Sequence, residues 1–306
     1  MILSASRRTD IPAQYLPWLC SRLREGYALV RNPMAPHRIS RVNLTRDVLD
    51  AMVLWSKNPL PLLEHMDDLR DIPYYLQFTL TSYGRDIEPG LPDKRLLLKG
   101  FAELAHALGP ERLVWRYDPI LLNAQWTKDV HFSAFAAMAK HLSGCTDTCV
   151  VSFLDHYRCM QAACAPLQLQ TPCAQEMQEM FLRLSTIAED HGIRLCTCCE
   201  EIPDAPRSAC IDKGRLERIT GCRLSLAPDK NQRPSCGCCE SIDIGAYDTC
   251  ANGCLYCYAT HSHSALQRNL AAHDPSSPLL FGSLNAQDVI TERRASSCKM
   301  QQLSLF

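Results

Sequence analysis

Tyr74-Tyr75-Leu76-Gln77-Phe78-Thr79-Leu80, the helical pattern over about 93–108, the stop Gly109-Pro110 and the run Leu113-Val114-Trp115-Arg116-Tyr117 together decide the fold. Two short β-rich runs flank one helix, which is the content of a βαβ unit. The runs are apolar rather than alternating, as expected for strands buried on both faces of a parallel sheet. Outward from this unit the pattern repeats. Residues 1–6, 27–31, 51–55, 149–154 and 193–197 predict further strands, and about 12–25, 60–70, 128–142 and 174–191 predict further helices. Residues 31–44 add a hairpin. Repeated βα units with right-handed crossovers imply an α/β protein built on a closed or partial parallel β/α (TIM-like) barrel. No GxGxxG opens the first unit, which argues against dinucleotide binding.

Composition narrows the class. The chain has 306 residues, is 46% hydrophobic and 21% charged, and carries a net charge of −1. It can bury a sizeable core without disulfides, and no global basic field marks a nucleic-acid binder. No run approaches the ~18 apolar residues of a membrane span, and the first residues lack a signal-peptide pattern. Eighteen cysteines in such a chain read as metal or redox sites in a reducing cytoplasm.

After about residue 200 the pattern breaks. Residues 1–202 form the expected barrel, and 203–261 a segment rich in Cys, Gly, Pro and charge that a metal would organise. Residues 262–306 read as a mobile tail with a short helix. Within the middle segment lies Cys250-Ala251-Asn252-Gly253-Cys254-Leu255-Tyr256-Cys257-Tyr258-Ala259. Three thiolates spaced CxxxCxxC can hold three irons of a [4Fe-4S] cube and leave the fourth open to a small molecule. A zinc knuckle is the alternative, with Cys238, Cys239, His261 or His263 as the fourth ligand.

The trio resembles the cluster motif of radical S-adenosylmethionine enzymes, with Tyr256 as the aromatic residue before the third Cys. Gly253 to Ala259 looks most like the spore photoproduct lyase branch of that superfamily. From Ser4-Ala5-Ser6-Arg7-Arg8-Thr9-Asp10 to Cys257, the chain resembles an uncharacterised bacterial family, domain of unknown function 1848, whose C-terminal cysteines have been likened to that motif. The resemblance implies a [4Fe-4S] cluster on Cys250, Cys254 and Cys257, S-adenosylmethionine as cofactor, and an electron donor such as flavodoxin or ferredoxin. Cys198, Cys210, Cys236 and Cys238 match cysteines of the same family. They imply a second iron-sulfur cluster or a zinc, with Cys199, Cys222 and Cys239 as substitutes. Most radical S-adenosylmethionine enzymes carry the motif after the first barrel strand. Here the barrel precedes it, so the segment must fold back over the mouth.

Polar residues gather where the expected strands end, which is where barrel enzymes place working groups. They are Arg7, Arg8, Thr9 and Asp10; Ser56, Lys57 and Asn58; Gln77 and Thr79; Arg116, Tyr117 and Asp118; Ser152 and Asp155; Glu200 and Glu201. Such a ring suits a zwitterionic or phosphate-bearing ligand. Arg7, Asp10, Lys57, Arg116, Tyr117 and Asp118 are the candidate catalytic or substrate-contacting residues. Cys20, Cys145, Cys149, Cys159, Cys164, Cys173 and Cys298 read as ordinary packing or surface thiols.

The chain ends in Gln302-Leu303-Ser304-Leu305-Phe306, which resembles the pentapeptide that binds the DNA sliding clamp in bacterial replication and repair proteins. Leu305 and Phe306 would enter an apolar groove while Gln302 anchors them. The functional expectation is a radical S-adenosylmethionine-like enzyme of unknown substrate, with damaged nucleic acid as the candidate that the photoproduct-lyase-like segment and the clamp-like ending suggest. The alternatives are a non-catalytic, metal-stabilised barrel tethered to the clamp, or a barrel hydrolase or lyase with structural zinc.

Overall fold

The computed structural model describes residues 1–155, 158–233 and 235–300. The strands are β1 (Ile2–Ala5), β2 (Tyr27–Asn32), β3 (Ala35–Asn43), β4 (Ala51–Ser56), β5 (Tyr74–Thr79), β6 (Leu113–Ile120), β7 (Thr148–Phe153), β8 (Arg194–Thr197), β9 (Ile242–Asp243) and β10 (Val289–Glu292). The α-helices are α1 (Ile11–Gln14), α2 (Leu16–Glu25), α3 (Met66–Leu69), α4 (Lys94–Leu108), α5 (Lys128–Leu142), α6 (Gln161–Cys164), α7 (Ala174–Glu189), α8 (Lys213–Thr220) and α9 (His263–Ala271). Seven strands form one parallel sheet in the order β8-β7-β6-β5-β4-β1-β9. Local signals set the crossovers. Asp93 caps α4 through the Arg95 N–H at 2.8 Å, and Gly109 ends it with φ 89°, a left-hand-side value that favours glycine.

Both faces of the sheet are covered, which is why its strands read as apolar runs. On one face the helices pack: Phe101 of α4 stacks on Phe78 at 4.9 Å, and Phe135 of α5 on Trp115 at 4.7 Å. The other face begins with Ile2, Ala51, Val53, Tyr75, Val114 and Val150, packed against Ile211, Leu216, Leu224 and Cys238. Residues 211–239, in the segment expected to be organised by a metal, therefore supply an apolar core beneath the sheet.

A closed ring of strands is not formed. Among the described residues no ladder joins β8 to β9, the two edges of the sheet. Side chains of residues 211–239 fill the face that a closed barrel would fill from its own strands. The β8 edge is met by loop backbone, Thr197 N to Pro206 O and Ser208 N to Thr197 O, both 2.8 Å.

Residues 27–31, expected in the parallel array, belong elsewhere. β2 and β3 form an antiparallel hairpin, and β10 pairs in parallel with β3 to complete a separate three-stranded sheet. The turn between β2 and β3 is too short for a parallel crossover. Where composition suggested a mobile tail, residues 262–300 carry α9 and β10. They are also tied back by the indole of Trp18, which donates to Ser277 O at 2.9 Å, and by Arg22, which donates to Ser276 O at 2.9 Å. Residues 302–306, the clamp-like peptide, lie outside the described residues. No helix among the described residues is long and apolar enough to cross a membrane.

Candidate metal centre

Along the second sheet face the chemistry changes from apolar to polar toward the C-terminal strand ends, because side chains repeat every second residue on one face. Val53, Trp55 and Lys57 follow one another on β4 and its exit; Val114, Arg116 and Asp118 do so on β6. A cavity of about 350 Å³ opens there, lined by Arg7, Asp10, Lys57, Arg116, Asp118 and by both sets of cysteines. Cys250, Cys254 and Cys257 line it from the folded-back loop; Cys198, Cys199, Cys210, Cys236 and Cys238 line it from beyond β8.

Tyr117 is the exception among the candidate residues. Its neighbours Arg116 and Asp118 face the cavity, so the pleat turns Tyr117 to the helix side. There its hydroxyl meets His131 Nδ1 at 2.9 Å and Ser82 Oγ at 3.1 Å.

The loop that carries the trio is fastened from three sides. Asp10, expected as a pocket contact, is 6% exposed and acts as a buried clamp. Its Oδ2 accepts the Lys57 N–H at 2.8 Å and Asn252 Nδ2 at 2.9 Å; its Oδ1 accepts the Ala13 N–H at 3.1 Å. Gln14 receives the Ala251 N–H at 2.8 Å and donates to Asn252 Oδ1 at 3.0 Å. Gly90 N donates to Asn252 O at 2.9 Å, and Leu255 N to Ile87 O at 3.0 Å. A Cβ on Gly90 would lie 2.7 Å from the carbonyl oxygens of Ala251 and Asn252, so only glycine permits this approach.

Glu88, absent from the sequence reading, is the anionic hub of this corner. Its side chain is wholly buried. It receives Lys57 Nζ at 2.8 Å and Thr81 Oγ1 at 3.0 Å, and also pairs with Lys94 and the Tyr256 hydroxyl. Burial opposes the charge, but the two ammonium groups hold the carboxylate down at about 2. Lys57 Nζ also contacts the Tyr256 hydroxyl at 2.7 Å.

The thiols of the trio fit a cationic centre. Burial pushes Cys250 up to about 12, with Asp10 adding to it, and burial raises Cys254 against the pull of Lys57. Bare thiolates are disfavoured there, whereas metal charge deprotonates a coordinating thiol outright. The trio makes no sulfur–sulfur hydrogen bond among the described residues, although the thiols sense one another's charge.

The second set is packed differently. Cys198 Sγ and Cys210 Sγ lie 3.4 Å apart. Contacts continue from Cys210 to Cys238, from Cys238 to Cys236, and through Cys199 back to Cys198. Hydrogen bonds from Cys198 and Cys238 hold Cys210 well below the usual thiol range, and Arg116 and Arg7 add to this. Arg116, 7% exposed, donates to Cys210 Sγ at 3.0 Å and pairs with Asp118. Arg7 lies over the Trp55 ring at 5.4 Å, and its buried Nη2 has no hydrogen-bond partner among the described residues. An orphaned guanidinium nitrogen beside thiols suits an anionic thiolate-bound centre. Arg7 and Arg116, expected as substrate grips, are thus placed beside this set.

β1 is locked to the same region by Asp243 of β9. Its carboxylate receives Ser4 Oγ and Ser6 Oγ, each at 2.7 Å, the Arg7 N–H at 2.9 Å and Arg8 Nε at 3.2 Å. No signal marked Asp243 in the sequence, because a two-residue strand has no readable period.

These features define an α/β protein whose parallel sheet ends in a thiol-lined cavity. The chain belongs to the family described as domain of unknown function (DUF1848), whose model matches residues 2–259. No curated protein and no solved structure matches it.

Proposed function

We propose that this chain is a radical S-adenosylmethionine-like enzyme working in a partial β/α barrel. Cys250, Cys254 and Cys257 would hold a [4Fe-4S] cluster with one iron left for S-adenosylmethionine. The observation that carries the reading is that a CxxxCxxC trio, fastened by Asp10, Gln14 and Gly90, lines the strand-end cavity rather than the outer surface. Bound there, cluster and cofactor would supply one-electron cleavage of a sulfonium C–S bond, giving methionine and a 5′-deoxyadenosyl radical that takes a hydrogen atom from substrate. The electron comes from a flavodoxin- or ferredoxin-class donor.

The chain's own groups prepare the place. Asp10 and Asn252 fix the loop, and Glu88 keeps Lys57 charged and aimed beside Tyr256. The second thiol set would hold a zinc or a second iron-sulfur cluster, since Cys198 Sγ and Cys210 Sγ lie 3.4 Å apart, near the ~3.8 Å between two sulfurs on one tetrahedral metal. Damaged nucleic acid is the proposed substrate, supported by the photoproduct-lyase-like Gly253 to Ala259 and the clamp-like ending. A damaged base would be flipped into the cavity.

Anaerobic reconstitution tests the reading. The expected product is a brown protein with iron and sulfide that forms 5′-deoxyadenosine from S-adenosylmethionine and dithionite. A colourless protein that takes up only zinc overturns it.

A further inference from the structure

Outside the two thiol sets, Cys20 stands apart from the cysteines that read as packing residues. Its Sγ, a His65 ring nitrogen and an Asp68 carboxylate oxygen all lie within 4.8 Å of one another. Cys20 comes from α2 and is 3% exposed. His65 caps the 3-10 turn Leu60–Glu64 and opens α3, which contains Asp68. His65 Nδ1 and Asp68 Oδ2 are 2.8 Å apart. The donors thus come from two separate elements, and one of the three is buried.

We propose that Cys20, His65 and Asp68 bind a divalent cation of the zinc class, with water as the fourth ligand. Thiolate, imidazole and carboxylate form a mixed soft and hard donor set that suits Zn²⁺ and not Ca²⁺ or Mg²⁺. A thiolate and a carboxylate together balance the 2+ charge. Binding releases the Cys20 proton to solvent, and no electron moves. Without metal the same three groups form a plain hydrogen-bonded cluster, and the test separates the two states.

The site has a structural consequence. The cation would pin α2 to α3, and α2 follows directly on Gln14 and Tyr15. Tyr15 OH donates to Thr249 O at 2.5 Å, and Gln14 holds Ala251 and Asn252. The bound ion would therefore brace the support of the cysteine loop from a distance.

The experiment is a Co²⁺ titration of protein already loaded with iron and sulfide, then stripped of loose metal with a chelator. Wild type should bind one equivalent more than His65→Ala and than Cys20→Ser. Loss of a direct ligand should weaken that equivalent by more than the ~10–100-fold cost of losing an outer-shell partner. Asp68→Asn, which keeps shape and a hydrogen bond, should weaken it as well. Added Zn²⁺ should raise the melting temperature of wild type more than that of His65→Ala. Equal Co²⁺ uptake at equal affinity in wild type and His65→Ala overturns the proposal. Iron content is read separately, so failure here is distinguishable from failure of the cluster assignment.

Discussion

The hydroxyl of Tyr258 donates to the carbonyl oxygen of Arg7 at 2.5 Å. Tyr258 follows Cys257 directly, while the Arg7 side chain lies in the field of Cys238 and Cys210. One residue of the β1 exit thus bonds through its backbone to the neighbour of Cys257 and sets its guanidinium in the field of the other cysteine set. The two cysteine sets line one cavity, yet come from different segments.

That arrangement predicts separable metals. Cys254→Ala should abolish iron and sulfide incorporation and 5′-deoxyadenosine formation, and leave the second metal in place. Cys210→Ala should remove the second metal and lower the melting temperature, with iron still incorporated at the trio. Metal analysis of the two variants after reconstitution checks both outcomes.

Gly90 tests the loop without altering a ligand. Its Cβ position is 2.7 Å from two carbonyl oxygens of the cysteine loop, and backbone cannot give way as a flexible side chain can. Gly90→Ala should displace residues 251–252 and reduce retained iron severalfold, while far-ultraviolet circular dichroism stays near that of wild type. Full iron retention would mean that the loop position does not govern loading.

Glu88 is the carboxylate whose removal should cost most. Glu88→Gln leaves the half-buried Lys57 and Lys94 without their counter-charge, a change of roughly 3 kcal/mol, the low end for loss of one partner of a buried pair. Denaturant unfolding should report a fall of that order. Lys94→Met, which removes one of two competing cations from an edge position, should cost less.

Asp243 gives an acid dependence of defined sign. Burial pushes its pKa up, but Arg8, the Arg7 N–H, Ser4 and Ser6 outweigh burial and leave it below 3.8. A carboxylate depressed in the folded state stabilises above its unfolded value, and the stabilisation is lost as pH falls from 3.8 through the folded value. Asp243→Asn should lower stability by about 1.5–3 kcal/mol near neutrality and flatten the acid limb. Unfolding midpoints measured for both proteins from neutral pH downward should converge at the acid end.

The parallel strands were legible because burial on both faces leaves continuous apolar runs, as at 51–55 and 74–80. The cavity side of β6 was legible too, since Arg116 and Asp118 are alternate residues, and the same period could have excluded Tyr117. What escaped were groups without a period. Glu88 lies in the loop between β5 and α4, Asp243 in a two-residue strand, and the Cys20, His65 and Asp68 cluster depends on how α2 meets α3. Strand 27–31 has β composition, but its partner is set by a tight turn that propensity does not encode. The helix α8 and its apolar residues were hidden in a segment dominated by Cys and Gly.

β9 joins the sheet beside β1, pairing Ser4 with Asp243 across 239 positions of sequence. A growing chain therefore leaves this edge of β1 unpaired until β9, 239 positions later, has been synthesised. The thiols of residues 250–257 leave the ribosome later still, and the clasp that seats them on Asp10 and Gln14 can close only after that. Were the trio to take a cluster, its insertion would therefore follow the synthesis of β1 through β9.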